Sequence, residues 1–431
     1  MPLTVLLLLG CRGQSPTKAL PSLTDTGDSA VVDTGDTGDT GDVAYTPISP
    51  STLTGPEAGA MLGWALAIGD RALWVSAPTA GGTGAIYRFP AEALDGTLTL
   101  KDSDLHLQGS AAGGLLGYGM ATVDLDQDGI YDVAAGAPSE DGSRGAVYLL
   151  DGRGGAEPLR VSGSVPGGSF GVRIAPGPEA GTLLVAATDQ GTGGVVHLLS
   201  GAGSRLASVS ADEAGQQLGT GMAAGDLNGD GIGDVVLGGA SEGTGSDDGA
   251  GVAGVFFGPL SGSQGLSDAD VRLSGAQLQD HLGNRVASGE DLDGDGYDDL
   301  AVGAYWHSAE AQRGGAVYLF AGPVAEGAGL GDAHAVLLGD REYGYAGISV
   351  EMAPGVLVIG EYGAGAARIV SEPQAGIRLL SQAATHTLED PPAVSYGYTT
   401  AVGDLDGGRA PDFVVGAYQA DFVALHPGES L

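Results

Sequence analysis

The segment from residue 282 to residue 320 reads LGNRVASGEDLDGDGYDDLAVGAYWHSAEAQRGGAVYLF and contains every feature that repeats along the chain. An apolar residue and a glycine open it, and a short apolar stretch then leads into an aspartate-rich loop. A second apolar stretch ends in Gly303-Ala304-Tyr305, and a third, Gly315–Phe320, follows a variable loop. Short stretches of small apolar residues between glycine-rich turns are typical of β-strands buried on both faces.

The same arrangement recurs seven times between residues 50 and 431. The glycines of the opening pairs lie 54, 54, 48, 64, 64 and 50 residues apart. A period of this length, with four short strands in each unit, is typical of a β-propeller in which one unit forms one blade. The sequence therefore predicts an all-β protein with a seven-bladed β-propeller. The repeat cores lie near residues 62–89, 116–150, 170–199, 218–257, 282–320, 346–370 and 396–426.

The ends of the repeat region predict how the ring closes. A segment such as Val271–Gly275 precedes each later unit and reads as the fourth strand of the blade before it. The last unit ends without this segment, whereas a surplus copy, Ser51–Gly55, stands before the first unit. We therefore expect the N-terminal strand to complete the last blade, which would remove an exposed sheet edge.

Three units carry oxygen-bearing side chains at positions 1, 3, 5 and 9 of a loop, and a fourth unit carries them at positions 1, 3 and 9. A backbone carbonyl at position 7 and a glycine at position 6 complete a pattern that wraps a hard cation, and the flexible shell favours Ca²⁺ over Mg²⁺. We predict three calcium sites and a weaker fourth, because Gly408 occupies position 5 of the last loop. The predicted ligands are Asp124, Asp126, Asp128, Ile130 and Asp132; Asp226, Asn228, Asp230, Ile232 and Asp234; Asp291, Asp293, Asp295, Tyr297 and Asp299; and Asp404, Asp406 and Asp412.

These loops differ from EF-hands at position 12, where an EF-hand needs a bidentate glutamate. Here that position holds Ala135, Leu237, Val302 or Val415, each within an apolar strand. The loops are therefore expected in β-hairpins. For the last loop, an ordinary Asp/Gly turn without a metal remains the alternative.

Taken together, the apolar-Gly pairs, the aspartate loops, the Gly-Ala-Pro-like triplets and the Gly-x-Val-Tyr strands resemble the FG-GAP repeats of integrin α-subunit propellers and of bacterial FG-GAP proteins. This resemblance covers residues 50–431 and implies calcium hairpins on the lower face of a propeller. It also implies that ligands bind the opposite, upper face. No segment similar to the integrin leg domains is apparent, so we expect a monomer rather than an integrin-style heterodimer.

The N-terminal fifty residues predict export. Residues 1–11 read as a signal peptide, and Leu8-Leu9-Gly10-Cys11 resembles a bacterial lipobox in which Cys11 becomes lipidated. The Thr-Gly-Asp-rich residues 12–49 read as a disordered tether. We therefore expect an exported protein, lipid-anchored to a bacterial membrane or cell surface. The alternative is a secreted protein in which Cys11 is incidental.

The charge of the chain limits the classes of partner that it can bind. With 54 acidic residues against 17 basic ones, the net charge is −37, which excludes a nucleic-acid-binding protein and leaves a lipid anchor as the expected membrane contact. The seven histidines form no catalytic or metal pattern, so we predict that the protein is not an enzyme. No cofactor other than Ca²⁺ is expected.

The loops predicted on the upper face carry candidate contact residues for an extracellular protein or glycan, since aromatic side chains are favourable anchors. We predict a calcium-binding cell-surface adhesion or binding propeller. Two alternatives stay open: a propeller-fold hydrolase or lyase acting on extracellular polysaccharide, and a structural surface-layer component. The candidate ligand-face residues are Tyr305, Trp306, His307, Tyr343, Tyr362 and Tyr418.

Overall fold

Seven β-sheets build the protein. The computed structural model describes residues 51–55, 58–240, 249–389, 395–408 and 410–428. Each sheet takes its first three strands from one repeat, which confirms the predicted all-β, seven-bladed propeller. The predicted signal peptide, Cys11 and the tether lie outside the described residues.

In chain order, the strands up to the end of the third repeat are β1 (Ser51–Thr54); β2 (Leu66–Gly69), β3 (Ala72–Ala77), β4 (Ala85–Pro90), β5 (Thr97–Leu98) and β6 (Leu105–Gln108); β7 (Met120–Val123), β8 (Asp132–Ala137), β9 (Ala146–Leu150) and β10 (Leu159–Ser162); and β11 (Arg173–Pro176), β12 (Thr182–Ala187), β13 (Val195–Ser200) and β14 (Arg205–Ser210). Of these, β1 and β5 belong to the sheet of blade 7.

In chain order, the fourth to seventh repeats contain β15 (Leu218–Gly225), β16 (Asp234–Gly239), β17 (Val252–Phe256), β18 (Gly262–Gly265) and β19 (Val271–Ser274); β20 (Leu282–Ser288), β21 (Leu300–Ala304), β22 (Ala316–Phe320) and β23 (Ala335–Leu338); β24 (Val350–Ala353), β25 (Val356–Glu361), β26 (Ala366–Ser371), β27 (Gly376–Leu379) and β28 (His386–Glu389); and β29 (Thr399–Gly403), β30 (Asp412–Ala417) and β31 (Phe422–His426). Of these, β18 belongs to the sheet of blade 3 and β27 to that of blade 5.

Only short helical turns accompany the strands in the described part of the chain. They are α1 (Glu140–Ser143), α2 (Leu380–Ala383) and the 3₁₀ turns Ala80–Gly82, Ala91–Ala93, Leu100–Asp102, Leu266–Asp268, Leu330–Asp332 and Tyr418–Ala420.

The innermost strand of each blade contacts the innermost strands of both neighbours, and β29 contacts β2, so the blades form a closed ring around a central channel. Within a blade, the strands run antiparallel from the channel to the rim. We call the end of the blades with the hairpins between first and second strands the lower face. The end with the opening glycine pairs and the Gly-Ala-Pro-like triplets is the upper face.

The outermost positions of three blades are filled from elsewhere in the chain. In blade 7, β1 pairs antiparallel with β31, with Ser51 opposite Leu425 and Thr54 opposite Phe422. A fifth, parallel strand then covers the outer edge of blades 7, 3 and 5: β5 lies beside β1, β18 beside β14, and β27 beside β23. Each of these strands comes from a neighbouring repeat and covers an edge that would otherwise expose unpaired backbone groups.

The opening glycine is required by conformation and by close packing. Gly283 has a φ of +82°, a region that residues with a Cβ rarely adopt. Its carbonyl oxygen lies so near the preceding blade that a Cβ on Gly238, the first residue of that blade's triplet, would come within 1.8 Å of it. The same contact joins Gly136 and Gly171. The repeated glycines therefore mark where the backbones of adjacent blades touch.

These contacts also correct one detail of the repeat alignment. In blade 3 the residue that meets the next opening glycine, Gly219, is Ala186. The backbone N–H of Gly171 also donates to the carbonyl of Ala186. The repeat pattern in the sequence predicts the triplet of blade 3 at Ala187-Thr188-Asp189. The contacts show that it lies one residue earlier, at Ala186-Ala187-Thr188. The central strands are buried on both faces, as β8, β12 and β16 illustrate.

Candidate metal centres and upper face

The four aspartate loops lie at the lower ends of blades 2, 4, 5 and 7, each connecting the innermost strand to the second strand. In blade 5, the carboxylate of Asp291 folds the loop around itself. It accepts hydrogen bonds from the backbone N–H groups of Gly294 (2.6 Å), Asp295 (3.2 Å) and Gly296 (2.7 Å). The bond from Gly296 is the main cause that lowers the pKa of Asp291. The position-1 aspartates Asp226, Asp124 and Asp404 accept equivalent bonds.

The aspartate at position 9 is buried in all four loops and joins two segments. In blade 5, one oxygen of Asp299 accepts from Leu292 N–H (2.7 Å) in the loop, and the other accepts from Gly322 N–H (2.9 Å) after the third strand. Asp132, Asp234 and Asp412 make the same pair of bonds. Burial raises the pKa of each of these carboxyls, and that of Asp412 to about 6.

Three of the loops bring carboxylate oxygens within 4.8 Å of one another. Such clusters suit a divalent cation, because oxygen donors are the ligands that Ca²⁺ takes and because the ion would relieve their mutual repulsion. The set from Asp404 to Asp412 is among them, although the loop has Gly408 at position 5. The clusters are Asp124, Asp126 and Asp132; Asp291, Asp293 and Asp295; and Asp404, Asp406 and Asp412.

The loop of blade 4 is arranged differently, since its position 3 is an amide. Asn228 Nδ2 donates to Asp230 Oδ2 (3.1 Å), and the backbone N–H of Asp230 donates to Asn228 Oδ1 (2.9 Å). At position 7 of the loops, the N–H groups of Ile130, Ile232 and Tyr297 donate to the position-5 aspartate. In blade 2, that position-5 residue, Asp128, is paired with Arg153.

Neighbouring hairpins are bonded to one another around the lower face. The backbone N–H of Asp226 donates to the carboxylate of Asp298 in the next blade (2.7 Å), and the Tyr297 ring covers Gly229. The turn of blade 1 has no carboxylate set. Its Arg71 instead donates to the backbone carbonyls of Leu405 (3.4 Å) and Asp406 (2.9 Å) in blade 7.

On the upper face, the candidate residues from the sequence occupy three different environments. Tyr343 is the most open, with 43% of its surface exposed. Tyr305, Trp306, Tyr362 and Tyr418 are half-buried.

His307 differs from the others, because it is buried and its Nδ1 lies 3.0 Å from the carboxylate of Asp280. Asp280 also accepts from the backbone N–H of Gln277 (2.7 Å). His307 therefore supports the loop from beneath and presents little surface to a partner.

Most of these aromatic rings belong to one connected group, the aromatic strip. Trp306 packs on Tyr305 and lies under the Arg313 guanidinium at 4.0 Å. Tyr345 and Tyr362 stack at a centroid distance of 4.9 Å. The strip consists of Trp64, Tyr118, Tyr305, Trp306, Tyr343, Tyr345, Tyr362, Tyr398 and Tyr418.

Four members of the strip were not among the sequence candidates: Trp64, Tyr118, Tyr345 and Tyr398. Trp64 contacts Tyr118 (4.7 Å), Tyr398 (5.3 Å) and Tyr418 (5.0 Å). Three of the four share a signal that the sequence does contain. Trp64, Tyr118 and Tyr398 each directly follow the opening glycine of their repeat, which places them at the upper mouth of the channel.

No helix in the described ranges is both long and apolar enough to span a membrane.

Comparison with known proteins gives two kinds of similarity. The FG-GAP repeat profile matches residues 116–150 and 282–320, which are the cores of blades 2 and 5. Integrin alpha-PS2 of Drosophila melanogaster is 29% identical over 46% of this chain, and integrin alpha-5 of Xenopus laevis is 27% identical over 56%. Integrin alpha-4 of Xenopus laevis is 33% identical over 25%.

The aligned parts span only 12%, 18% and 10% of these three relatives. The similarity therefore concerns the propeller and not the whole length of an integrin subunit. This chain is a seven-bladed β-propeller that contains FG-GAP repeats in blades 2 and 5 and is similar in sequence to integrin α subunits.

Proposed function

We propose that this protein is a non-catalytic, calcium-binding propeller that acts at the cell surface or outside the cell and recognises a protein or glycan with its upper face. The observation that carries the binding function is the aromatic strip. It extends through blades 5, 6 and 7 to blades 1 and 2, and its members are held in place by ring contacts.

A surface of this kind suits recognition for two physical reasons. Aromatic rings contribute a large contact area at a low cost in conformational entropy, and tyrosine hydroxyls supply hydrogen bonds. The exposed Tyr343 and the half-buried Tyr305, Tyr362 and Tyr418 present both kinds of contact. His307 is left out of the proposed ligand face because it is buried against Asp280.

The proposed calcium function belongs to the lower face. All ligands offered by the four loops are oxygen atoms, and the position-9 carboxylates are buried where a cation would stabilise their ionised form. We propose ions in the loops of blades 2, 4 and 5, and a fourth in blade 7, whose carboxylates converge in the same way.

The binding function is tested with a matched pair of tyrosine variants on opposite faces. Tyr343 (43% exposed) lies on the upper face, and Tyr131 (47% exposed) lies on the lower face. The intact chain is used to capture partners from cell-surface extracts and on a glycan panel. Tyr343→Ala should weaken capture several-fold, as expected for an aromatic contact residue, whereas Tyr131→Ala should not. Equal capture by both variants would remove the upper face from the proposal.

The alternative of a polysaccharide hydrolase or lyase is addressed by measuring turnover. The protein is incubated with extracellular polysaccharides in Ca²⁺ and in EDTA, and reducing ends and unsaturated products are measured. The non-catalytic proposal expects neither product above the level of a protein-free control. Product formation that scales with protein concentration would replace it with the enzymatic alternative.

Export and lipid anchoring through Cys11 stay predictions from the sequence. They are tested by growing expressing bacteria with a labelled fatty acid, where label should enter the protein and be lost in Cys11→Ser. Label in both forms, or in neither, would contradict the anchor.

A further inference from the structure

The central channel is lined by side chains from the innermost strands of all seven blades and encloses a cavity of about 370 Å³. The lining residues come from the same positions of every repeat, because each blade contributes the residues that follow its opening glycine. The residue two places after that glycine forms one ring, nearer the upper mouth. The residue four places after it forms a second ring, one step deeper.

The upper ring contains two arginines, Arg173 in blade 3 and Arg285 in blade 5. The other five blades contribute small or hydroxylated residues here, namely Ala65, Gly119, Gly221, Ser349 and Thr399. Blade 4, between the two arginines, carries Gly221, whose added Cβ would come within 3.3 Å of the Arg285 backbone. No side chain therefore separates Arg173 from Arg285 within this ring.

Among the described residues neither guanidinium forms an ion pair with a carboxylate, although Glu351 interacts electrostatically with Arg285. Arg285 Nη1 donates to the backbone carbonyls of Asn284 (2.9 Å) and Thr220 (3.3 Å). Two other arginines with little exposure are paired with buried carboxylates, Arg160 with Glu140 and Arg368 with Glu361. A guanidinium has five N–H donors, so the channel arginines retain donors that no protein carboxylate accepts.

The deeper ring contains one charged residue. Six blades contribute alanine, and blade 6 contributes Glu351. Burial raises the pKa of Glu351 to about 7, an effect that Arg285 opposes, and burial followed by the charge of Arg173 lowers the pKa of Arg285 to about 10. The described channel wall thus carries two positive groups and at most one negative group, in a chain whose net charge is −37.

Two guanidiniums and one carboxyl group in a narrow cavity favour an anionic ligand over a neutral or cationic one. A carboxylate is planar and accepts two parallel hydrogen bonds from a guanidinium, so two guanidiniums can hold both of its oxygens. Trp64 and Tyr118 line the same cavity at its mouth and offer apolar ring surface beside the charges. The cavity volume is at the lower end of the range for ligand sites, about 300–1,000 Å³, which suits a single sugar ring.

We propose that Arg173 and Arg285 bind the carboxylate of a uronic acid residue that enters the channel from the upper face, with its ring packed beside Trp64 and Tyr118. This inference rests on the proposed glycan-binding function of the upper face and specifies its ligand class.

The test is isothermal titration calorimetry of the intact, calcium-loaded chain with three small ligands. D-glucuronate should bind, D-glucose should bind much more weakly because it lacks the carboxylate, and acetate should bind more weakly because it lacks the ring. Equal affinity for glucuronate and glucose would overturn the role of the arginines. Equal affinity for acetate and glucuronate would overturn the sugar and leave a general carboxylate site.

Variants then locate the site. Arg173→Gln and Arg285→Gln should each weaken glucuronate binding roughly 10-fold or more, the loss expected for hydrogen bonds to a charged group. Glu351→Gln should strengthen it, because the competing carboxylate is gone. Arg378→Gln removes the same charge from the exposed strand β27 and should bind like the wild type.

Thermal melts show whether each variant folds. Arg285→Lys keeps the positive charge but loses the planar fork, and it provides a second variant that should also bind more weakly. Wild-type affinity in folded Arg173→Gln and Arg285→Gln proteins would refute the site. If neutral glycans or proteins bind through Tyr343 while glucuronate does not bind at all, the upper-face function stands and this inference fails.

Discussion

Removal of calcium should destabilise the propeller strongly, because the proposed ions hold together carboxylates that otherwise repel one another. A site saturated at a hundred times its dissociation constant stabilises the folded state by about 2.7 kcal/mol. Four such sites, one for each proposed ion of the lower face, would contribute about 11 kcal/mol. That is comparable with the whole stability of a typical domain, about 5–15 kcal/mol.

The assay is urea unfolding in excess Ca²⁺ and in EDTA, followed by tryptophan fluorescence, since Trp74 is fully buried. EDTA should lower the urea midpoint. Asp293→Asn removes one carboxylate from a cluster of three and should abolish about a quarter of the calcium-dependent stabilisation, the share of one site in four. Asp95→Asn, an exposed aspartate outside the loops, is the control and should retain all of it.

Coinciding unfolding curves in Ca²⁺ and in EDTA would show that calcium does not stabilise the propeller. If Mg²⁺ restores the urea midpoint as well as Ca²⁺ does, the loops do not prefer calcium, which is expected here because flexible, all-oxygen shells suit the larger ion.

Three further predictions follow from individual contacts. In EDTA, the free energy of unfolding should fall as pH rises from about 4 to 6. Burial raises the pKa of Asp412 to about 6, so the folded state binds more protons than the unfolded state in this range, and one such group accounts for up to about 3 kcal/mol. Urea midpoints measured across the range should show this slope in EDTA and lose it when Ca²⁺ is added. Gly238→Ala should cost about 3 kcal/mol or more, because its Cβ would lie 1.8 Å from the Gly283 carbonyl oxygen, whereas Gly331→Ala, which has open space around it, should leave the unfolding free energy nearly unchanged. Glu361→Gln should cost about 3–5 kcal/mol by leaving Arg368 charged and buried, and the double change to methionine should recover much of that loss in the same unfolding assay.

The fold was predictable because its constraints are local and repeated. An opening glycine must adopt a positive φ and allow the next blade to touch it, so its absence would be costly in every unit. The triplet of blade 3 was misplaced by one residue, since Ala186, Ala187 and Thr188 are all small and composition alone does not fix their register. The contact between Ala186 and Gly219 does fix it.

The strands β5, β18 and β27 could not be predicted, because they are short and carry none of the features that repeat from unit to unit. β18 reads Gly-Ser-Gln-Gly, and it is a strand only because the edge of β14 in the preceding blade offers unpaired backbone groups. Ile377 in β27 remains 74% exposed for the same reason. The sequence of such a strand is therefore set by the neighbouring edge rather than by burial of its own side chains.

The sites divide in a similar way. The aspartate loops are contiguous in sequence, and carboxylates cluster in three of the four predicted loops, those of blades 2 and 5 and the weaker loop of blade 7. The environment of His307 depends on Asp280, which lies in a different loop. Arg173 and Arg285 line the same channel although they come from blades 3 and 5. Contacts of this kind become visible only when the register of the repeats is known.

The lower face differs from the upper face in how its parts are connected. Its loops are joined across blades by the bond from Asp226 to Asp298 and by the bonds from Arg71 to the backbone of blade 7. On the proposed calcium binding, an ion in one loop therefore stiffens a segment that also supports its neighbour. The aromatic strip of the upper face is connected instead by ring contacts between side chains. A rigid lower ring would keep the seven innermost strands in register, and that register is what places Arg173 and Arg285 on either side of Gly221. Calcium would in this way affect the channel site from a distance, because it would hold in place the innermost strands that carry Arg173 and Arg285.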